Sequence, residues 1–453
     1  MTIETLPGTA FKYFLLAFTP DGTERLDDPD GIMSHLIVEQ LQQEPITDVF
    51  IFSHGWLSDV PAARYQYRRW IQSMANQAAD LERMRQIDPG FLPCLIGIHW
   101  PSQPWGDDEL ARSAIALKYS GVEMTLKVDP LVDQYAGRIA DTLAARQALQ
   151  IVFNAAIDQI SPEELPPEVG DAYRILDQES SLKSEGLGAA PSADREPFDP
   201  ESTFLVAREE ALSFSGFSWG GVLAPLRTLS FWKMKDRGRQ IGETGGFQLL
   251  NQLQRTARPT VRFHLVGHSF GCIVLSGMLN GSGGQGQLIR PVDSLALLQG
   301  ALSHWSYCPN IPIAPGTPGY FSRIFSQGKV LGTTITTQSS FDTAVGKWYP
   351  LAAGAASLLV KSINFYGEAN PLPEYGAVGA FGAQGGGDDF KALDARMASA
   401  DGIYDFTPGT VYNLNGTEYI RNGNLTEGAH NDIVRPEVAH AIWQAASSRG
   451  MAG

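Results

Sequence analysis

Short apolar segments rich in β-branched and aromatic residues alternate along this chain with segments of helical periodicity. Such alternation is typical of a mostly parallel sheet that is covered by helices on both faces. The predicted strands are Phe11–Phe18, Asp48–Ser53, Leu92–His99, Val261–Val266, Ser294–Gln299, Thr333–Ser339 and Thr410–Leu414. The predicted helices cover residues 60–84, 245–256, 271–279 and 434–447. The pattern therefore predicts an α/β protein.

One connection in this pattern is far longer than the others. The strand ending at His99 and the strand starting at Val261 are separated by a long stretch with helical periodicity and recurring aromatic residues, whereas such connections usually take a few residues. We interpret residues 103–242 as a cap or lid inserted into a single domain that spans residues 1–453, with a plain structural decoration as the alternative. Within it, Gly-Ala-Ala-Pro-Ser at 188–192 and the mixture of Asp, Glu and Pro that follows to Pro200 predict an exposed, mobile linker.

The strongest local motif is a Gly-x-Ser-x-Gly turn between a strand and a helix. The sequence Gly-His-Ser-Phe-Gly at 267–271 follows the predicted strand Val261–Val266 and leads into the predicted helix 271–279. Glycine is needed where neighbouring backbones approach closely, and the strained turn lifts the serine hydroxyl clear of the sheet. Ser269 is therefore the predicted nucleophile.

A second copy of the motif shows that the string alone is a weak signal. Gly-Phe-Ser-Trp-Gly at 216–220 lies inside the insertion, and the residues before it do not read as a buried strand. Gly221 and Pro225 follow it closely, which is unfavourable for a helix that starts at the motif. Ser218 is the weaker candidate nucleophile.

With the motif at 267–271, the chain resembles the α/β-hydrolase superfamily, and especially its lipase and esterase branches. The resemblance covers most of the chain outside the insertion. It implies an α/β-hydrolase fold with a mostly parallel sheet of about eight strands and a helical cap. It also implies a catalytic triad in the order serine, acid, histidine, and an oxyanion hole made of two backbone amides.

The predicted base is a histidine, because a serine hydroxyl is a poor nucleophile until a neighbouring base accepts its proton. His304, His430 and His440 follow Ser269 in the sequence. His304 comes directly after the next strand, too early for the implied order, and His440 lies in a predicted helix. His430 occupies a short turn between the last strand and the last helix, where the resemblance implies the catalytic histidine.

The third member of the triad should be a carboxylate that holds the imidazole in the correct tautomer. Asp342 ends the β-rich segment 333–342, which follows the next predicted strand. We assign Asp342 as the acid, with a helix-capping aspartate as the alternative. Asp388, Asp401 and Asp405 also lie between the serine and the histidine and are the other candidates.

A His-Gly-aromatic sequence at 54–56 directly follows the buried strand Asp48–Ser53. This sequence resembles one found in lipases and esterases, in which the residue after His-Gly offers its backbone N–H to the substrate oxygen. The resemblance therefore implies an oxyanion hole made of the amides of Trp56 and Phe270.

Three further residues next to strand ends are predicted to line the substrate site, namely His54, Trp100 and His268. No cofactor is expected, since a serine triad requires none. No metal is expected either, because zinc sites usually need three or four ligands from close pairs, and the three cysteines form no Cys-x-x-Cys pair.

Charge and composition narrow the range of partners. Acidic residues outnumber basic residues by 49 to 34, and the formal net charge of −15 repels phosphate backbones. We therefore expect no nucleic-acid partner. Apolar runs such as Leu351–Val360 are shorter than the roughly 20 residues that span a bilayer, so stable membrane insertion is not expected. Three cysteines cannot all pair, and no secretion signal is recognised at the start, which favours reduced thiols and a cytoplasmic location.

Together these features predict a carboxylic ester hydrolase that acts through an acyl-enzyme intermediate. Its substrate would be a small-molecule ester, and the tryptophans near the strand ends favour an apolar acyl or aromatic group. An acyltransferase with the same triad is one alternative. A non-catalytic binding protein of the same fold is another, and a peptidase is a further option.

Overall fold

The computed structural model of the protein describes residues 3–56, 58–102, 128–158, 162–182, 186–213, 221–353, 372–387, 389–424 and 427–448. The strands are β1 (Ile3–Thr5), β2 (Lys12–Ala17), β3 (Asp48–Ser53), β4 (Pro93–His99), β5 (Arg262–His268), β6 (Ser294–Leu298), β7 (Thr334–Gln338), β8 (Ala392–Arg396) and β9 (Val411–Asn415). They form a nine-stranded sheet in the order β1-β2-β4-β3-β5-β6-β7-β9-β8. Every neighbouring pair is parallel except β1 with β2. The predicted α/β class is confirmed, and each predicted strand is present.

The α-helices among the described residues are α1 (Met33–Gln43), α2 (Val60–Ala75), α3 (Ala78–Ile87), α4 (Val128–Ile139), α5 (Leu143–Asp158), α6 (Pro167–Glu179), α7 (Pro200–Ser213), α8 (Ala224–Ile241), α9 (Phe247–Thr256), α10 (Gly271–Asn280), α11 (Arg323–Ser326), α12 (Tyr349–Ala352), α13 (Val378–Phe381) and α14 (Pro436–Ser447). The prediction of one helix over 60–84 was wrong, because the backbone leaves the helical region at Gln77 and separates α2 from α3. Within the described part of the chain, no helix combines the length and apolar composition that a membrane span requires.

Two apolar layers cover the two faces of the sheet. Successive residues of a strand point to opposite faces, and β3 is buried along its whole length. Val49 and Ile51 therefore pack into the layer that contains α10, while Phe50 and Phe52 pack into the layer that contains Trp443 of α14. Burial on both faces explains why β3 is a continuous apolar run in the sequence.

Helix α10, which follows Ser269, crosses a helical segment from the predicted insertion at very short range. Helix α8 continues through a π-helical turn at Gly242–Gly246 into α9, so the predicted insertion boundary at residue 242 falls inside one continuous helical stretch. A Cβ on Gly242 would lie 2.2 Å from the carbonyl oxygen of Val274 in α10. Glycine at this crossing lets the insertion pack directly against the helix that follows Ser269.

The segment around residues 188–192 differs from its prediction. Instead of forming an exposed linker, residues 191–195 are buried, and Asp194 and Arg195 are among the most enclosed charged side chains. Ser192 donates to Asp236 of α8, and Arg195 donates to Asp177 of α6. Gly188 permits a close approach here, since a Cβ on it would lie 2.7 Å from the carbonyl oxygen of Pro318, and composition alone does not separate such packing from flexibility.

Candidate active site

Ser269 occupies a strained turn between β5 and α10. Its φ is 56°, in the left-handed region that non-glycine residues rarely adopt. The glycines on either side are required by close backbone contacts: a Cβ on Gly271 would lie 2.2 Å from the carbonyl oxygen of Ser53, and one on Gly267 would lie 3.0 Å from the amide nitrogen of Cys272. The turn therefore has the strand, serine and helix arrangement that the motif predicts.

His430 and Asp342 meet Ser269 in one hydrogen-bonded chain. His430 Nε2 lies 2.8 Å from Ser269 Oγ, and His430 Nδ1 lies 2.8 Å from Asp342 Oδ2. Because a carboxylate only accepts, Nδ1 carries the proton and the Nε2 lone pair faces the serine hydroxyl. Ser269 is 5% exposed and His430 8%, so little water reaches this chain of bonds.

Asp342 has two partners besides His430. Its Oδ1 accepts the amide of Val345, in the first turn of the helical segment that follows it. Its Oδ2 accepts the side-chain amide of Gln299 at 2.7 Å as well as the imidazole. The helix-capping role that was an alternative for Asp342 thus coexists with its contact to the histidine.

The electrostatic setting of His430 favours its charged form. Burial disfavours the imidazolium, but the charge and the hydrogen bond of Asp342 outweigh it and raise the pKa of His430 above its ordinary value of 6.5. The imidazole can therefore accept a proton from Ser269, with Asp342 stabilising the resulting charge.

His268 supports the loop that carries His430. Its Nε2 donates to the carbonyl oxygen of His430 at 2.9 Å, and its Nδ1 accepts from Gln66 at 3.3 Å. Burial and the neighbouring His430 lower the pKa of His268 to about 3, which keeps it neutral in this tautomer. Both ring nitrogens are thus engaged within the protein, while the predicted contact of His268 with substrate stays a prediction.

His54 and Trp100 brace the segment after β3. The two rings stack at 5.6 Å, and Trp100 Nε1 donates to the carbonyl oxygen of His54. His54 Nδ1 donates to Gly55, and its Nε2 accepts from His99 at 3.1 Å. Burial, together with the charge of His99, lowers the pKa of His54 to about 3, so it stays neutral. Neither side chain is exposed, and their role toward substrate stays a prediction.

Of the two residues predicted to form an oxyanion hole, Phe270 directly follows Ser269 and Trp56 directly follows Gly55. Gly55 abuts Ser269, since a Cβ on that glycine would lie 2.6 Å from the serine Cβ. The rings of Trp56 and Phe270 are 5.7 Å apart. Within the described ranges, neither residue's amide donates to a backbone carbonyl. The role of these two amides as an oxyanion hole stays a prediction.

Phe231 of α8 completes an aromatic cluster beside these amides. Its ring lies 5.1 Å from Phe270 and 5.7 Å from Trp56. Tyr349 and Trp232 pack behind it. Helix α8 thus contributes an aromatic ring beside Phe270 and Trp56, from a residue that the sequence analysis did not single out.

The structure does not bring the other described sequence candidates to this site. Ser218 and Asp388 fall outside the described residues. Asp401 and Asp405 are exposed, and Asp401 bonds Ser399. His440 pairs with Asp80 between α14 and α3.

Gln299 is the site residue that the motif search missed. It ends the predicted strand that follows the nucleophile, and its side chain is fully buried against Asp342. Its position at the end of a predicted strand could have indicated it, because in a parallel sheet the residues just past neighbouring strands come together at one edge.

No family model, curated protein or solved structure matches the chain. The three cysteines are free and buried. Among the residues that the structure describes, no group of three or more His, Cys, Asp or Glu side chains is arranged to hold a metal ion. The geometry of the site is therefore the basis for inferring its chemistry.

Proposed function

We propose that this protein is a serine hydrolase with an α/β-hydrolase fold, and that it cleaves carboxylic esters through an acyl-enzyme intermediate. The observation that carries the proposal is the unbroken hydrogen-bond chain from Ser269 through His430 to Asp342. These three hydrogen-bonded residues lie past the carboxyl ends of the strands, where open α/β sheets bind their ligands. The left-handed turn at Ser269 adds backbone strain that a purely structural serine would not need.

The reaction begins when Ser269 Oγ attacks the carbonyl carbon of the ester and its proton moves to His430 Nε2. Asp342 stabilises the imidazolium, and the amides of Trp56 and Phe270 stabilise the negative oxygen of the tetrahedral intermediate. The intermediate collapses as the carbon–oxygen bond to the alcohol breaks and His430 returns the proton to that alcohol. Water, deprotonated by His430, then attacks the acyl-enzyme and releases the acid and free Ser269.

An ester with an apolar acyl or aromatic group fits the surroundings best. The cluster of Trp56, Phe231 and Phe270 presents aromatic surface beside the two amides. Since Phe231 comes from α8, residues 103–242 act in this proposal as a cap that shapes the substrate site. A series of p-nitrophenyl esters of increasing acyl length tests this, because an apolar acyl site gives a preferred length and uniform rates contradict it.

A fluorophosphonate probe tests the nucleophile directly, because it phosphonylates an activated serine and stays attached. We expect one labelled residue, Ser269, and no labelling of Ser269→Ala. The expectation is checked by mass spectrometry of the digested protein. An unlabelled wild type, or a label on Ser218, contradicts the assignment.

The chain supplies a matched control in a second Ser-His-Asp set. His264 Nδ1 lies 2.8 Å from Ser294 Oγ, and His264 Nε2 lies 3.0 Å from Asp48 Oδ1. These residues sit near the amino ends of β6, β5 and β3, away from any turn before a helix. Ser294→Ala should therefore keep full labelling at Ser269, which separates loss of the nucleophile from loss of a buried hydroxyl.

A further inference from the structure

Gln299 and Ser269 occupy equivalent positions on neighbouring parallel strands. His268 at the end of β5 pairs in register with Leu298 at the end of β6. The next residue on each strand has a left-handed backbone, with φ of 56° at Ser269 and 45° at Gln299. Among the described non-glycine residues, Ser181 is the one other with positive φ. Strain of this kind persists where the surroundings enforce it, and it gathers at functional sites.

The orientation of the Gln299 amide is fixed by Thr337 of β7. The Thr337 hydroxyl accepts the backbone N–H of Gln299 at 2.9 Å, so its own hydrogen is free to donate to Gln299 Oε1, also at 2.9 Å. The oxygen of the amide must therefore face Thr337. Its NH₂ group is left to face Asp342 Oδ2 at 2.7 Å.

Two donors thus share one carboxylate oxygen. Asp342 Oδ2 accepts from Gln299 and from His430, while Oδ1 accepts from Val345. A buried carboxylate requires such donors to stay ionised. Of the three, Gln299 is the one side chain that does not titrate, and it is held by strands instead of by the loop that carries His430.

We propose that Gln299 is a positioning residue for the proposed hydrolase reaction. It holds the Asp342 carboxylate in the plane and at the distance that His430 requires, and it moderates the basicity of that carboxylate. The strained backbone at position 299 is what brings its amide to the end of β7. This inference rests on the proposed function, since it assigns Gln299 a role in the same triad.

The first test is Gln299→Leu, which removes the donor and keeps a similar volume. A carboxylate that loses a donor becomes more basic and stabilises the imidazolium more strongly, so the rising limb of the kcat/KM profile should move to higher pH. Misplacement of the carboxylate should also lower kcat, by roughly 10²-fold, with little change in KM. A merely structural role predicts a lower denaturation midpoint with an unshifted limb.

The second variant is Gln299→Glu, which tests the hydrogen bond and not the volume. Two carboxyl groups this close cannot both ionise, and the protonated one can donate to its neighbour as the amide does. We expect a bell-shaped profile, with activity nearest to wild type at the acid side and a steep loss as the shared proton leaves. A profile that parallels the wild type at all pH values overturns the proposal.

A pair of threonine variants keeps the proposal testable if position 299 tolerates no change. Thr337→Val removes the group that orients the Gln299 amide and should shift the limb as Gln299→Leu does. Thr336→Val removes a comparable buried bond, to Asn413, and should lower stability alone. Equal profiles for the two contradict the inference. Fluorophosphonate labelling of the wild type distinguishes failure of the proposed function from failure of this inference. If the wild type is not labelled, the proposed function is contradicted. If it is labelled but the Gln299 and Thr337 variants keep the wild-type pH profile, only this inference is contradicted.

Discussion

A buried histidine can act as a base only if its surroundings permit it to become charged. Burial lowers the pKa of His54, His268 and His304 to about 3, and that of His99 to about 4. His430 is equally enclosed, yet its pKa is raised because Asp342 compensates for desolvation. Among the described histidines with a resolved shift, it is the one adapted to carry a proton reversibly near neutral pH.

This setting predicts the pH dependence of activity and the effect of Asp342→Asn. His430 must be unprotonated to act, so kcat/KM should rise with pH, with a midpoint above 6.5 because Asp342 raises the pKa. Asparagine removes the charge, lowers that midpoint and allows the wrong tautomer, with a loss in kcat of roughly 10⁴-fold. Steady-state rates between pH 5 and 9, a range chosen around the histidine pKa, measure both effects.

Asp80→Asn is the control for this prediction, since Asp80 accepts from His440 in a similar buried pair at 2.7 Å away from the triad. It should leave the midpoint unchanged. If the midpoint of the rise in kcat/KM is the same in Asp342→Asn as in the wild type, a group other than His430 determines the pH dependence.

The residues of the proposed triad could be named from the sequence, whereas the side chains that support them could not. Ser269 is marked by a local motif, and His430 and Asp342 follow from chain order once a family is assumed. Gln299 donates to Asp342, 43 residues away in the sequence, and Gln66 donates to His268, 202 residues away. Such contacts depend on register and strand order, which no local pattern encodes.

At the scale of elements, the site depends on how closely β3, β5 and α10 approach one another. The carbonyl oxygens of Ser53 and His54 lie where a side chain on Gly271 would be, and Ser53 pairs in register with Gly267. The turn at Ser269 and the segment after β3 therefore form one unit. Its spacing determines where the amides of Trp56 and Phe270 lie relative to the serine.

Gly271→Ala should disrupt this unit. The added methyl would lie 2.2 Å from the Ser53 oxygen and 2.6 Å from the His54 oxygen, so backbone must move. We expect a loss of about 3 kcal/mol, at the upper end for overpacking, seen as a lower urea midpoint, and a loss of fluorophosphonate labelling.

Gly137→Ala is the matched control, because Gly137 lies in α4 with nothing near its added methyl. Alanine in an open helical position should stabilise by up to about 1 kcal/mol. If the two variants unfold at the same urea concentration, close packing at Gly271 is not what the glycine provides.

The strands and helices that could be predicted are those in which burial imposes a clear pattern of apolar residues on the sequence. The fully buried β3 was found with its observed bounds. β8 was missed because its residues are mostly exposed at the sheet edge, and β1 because it is three residues long. Helix α1 was missed too; it lacks a side-chain cap and has no acidic residue in its first turn, so it carries few of the signals that mark a helix start.

At the scale of the whole molecule, helix α8 is joined to the segment that follows Asp342. Lys235 of α8 is fully buried, donates to the Tyr349 hydroxyl at 2.7 Å and lies 4.2 Å from the centres of the Trp232 and Tyr349 rings. Trp232 Nε1 donates to the carbonyl oxygen of Ala352. Tyr349 begins α12, seven residues after Asp342, so α8 links the proposed cap to the acid-bearing segment.

The charge on Lys235 is balanced by Asp194 from the buried segment 191–195. Burial lowers the pKa of Lys235 to about 7, while the charge of Asp194 opposes that shift. Burial raises the pKa of Asp194, and Lys235 opposes that change in turn. Each group makes the ionised form of the other less costly, as expected for opposite charges in an apolar interior.

Lys235→Met therefore should destabilise the protein by more than its lost packing. Methionine keeps the volume but leaves Asp194 buried without its counter-charge, which should cost roughly 3 kcal/mol and lower the urea midpoint at pH 7. The double variant Asp194→Asn with Lys235→Met removes both charges and should regain most of the loss. If the double variant is no more stable than the single one, the two charges do not compensate each other, and α8 is held against the segment that follows Asp342 by its aromatic contacts and the Trp232–Ala352 hydrogen bond.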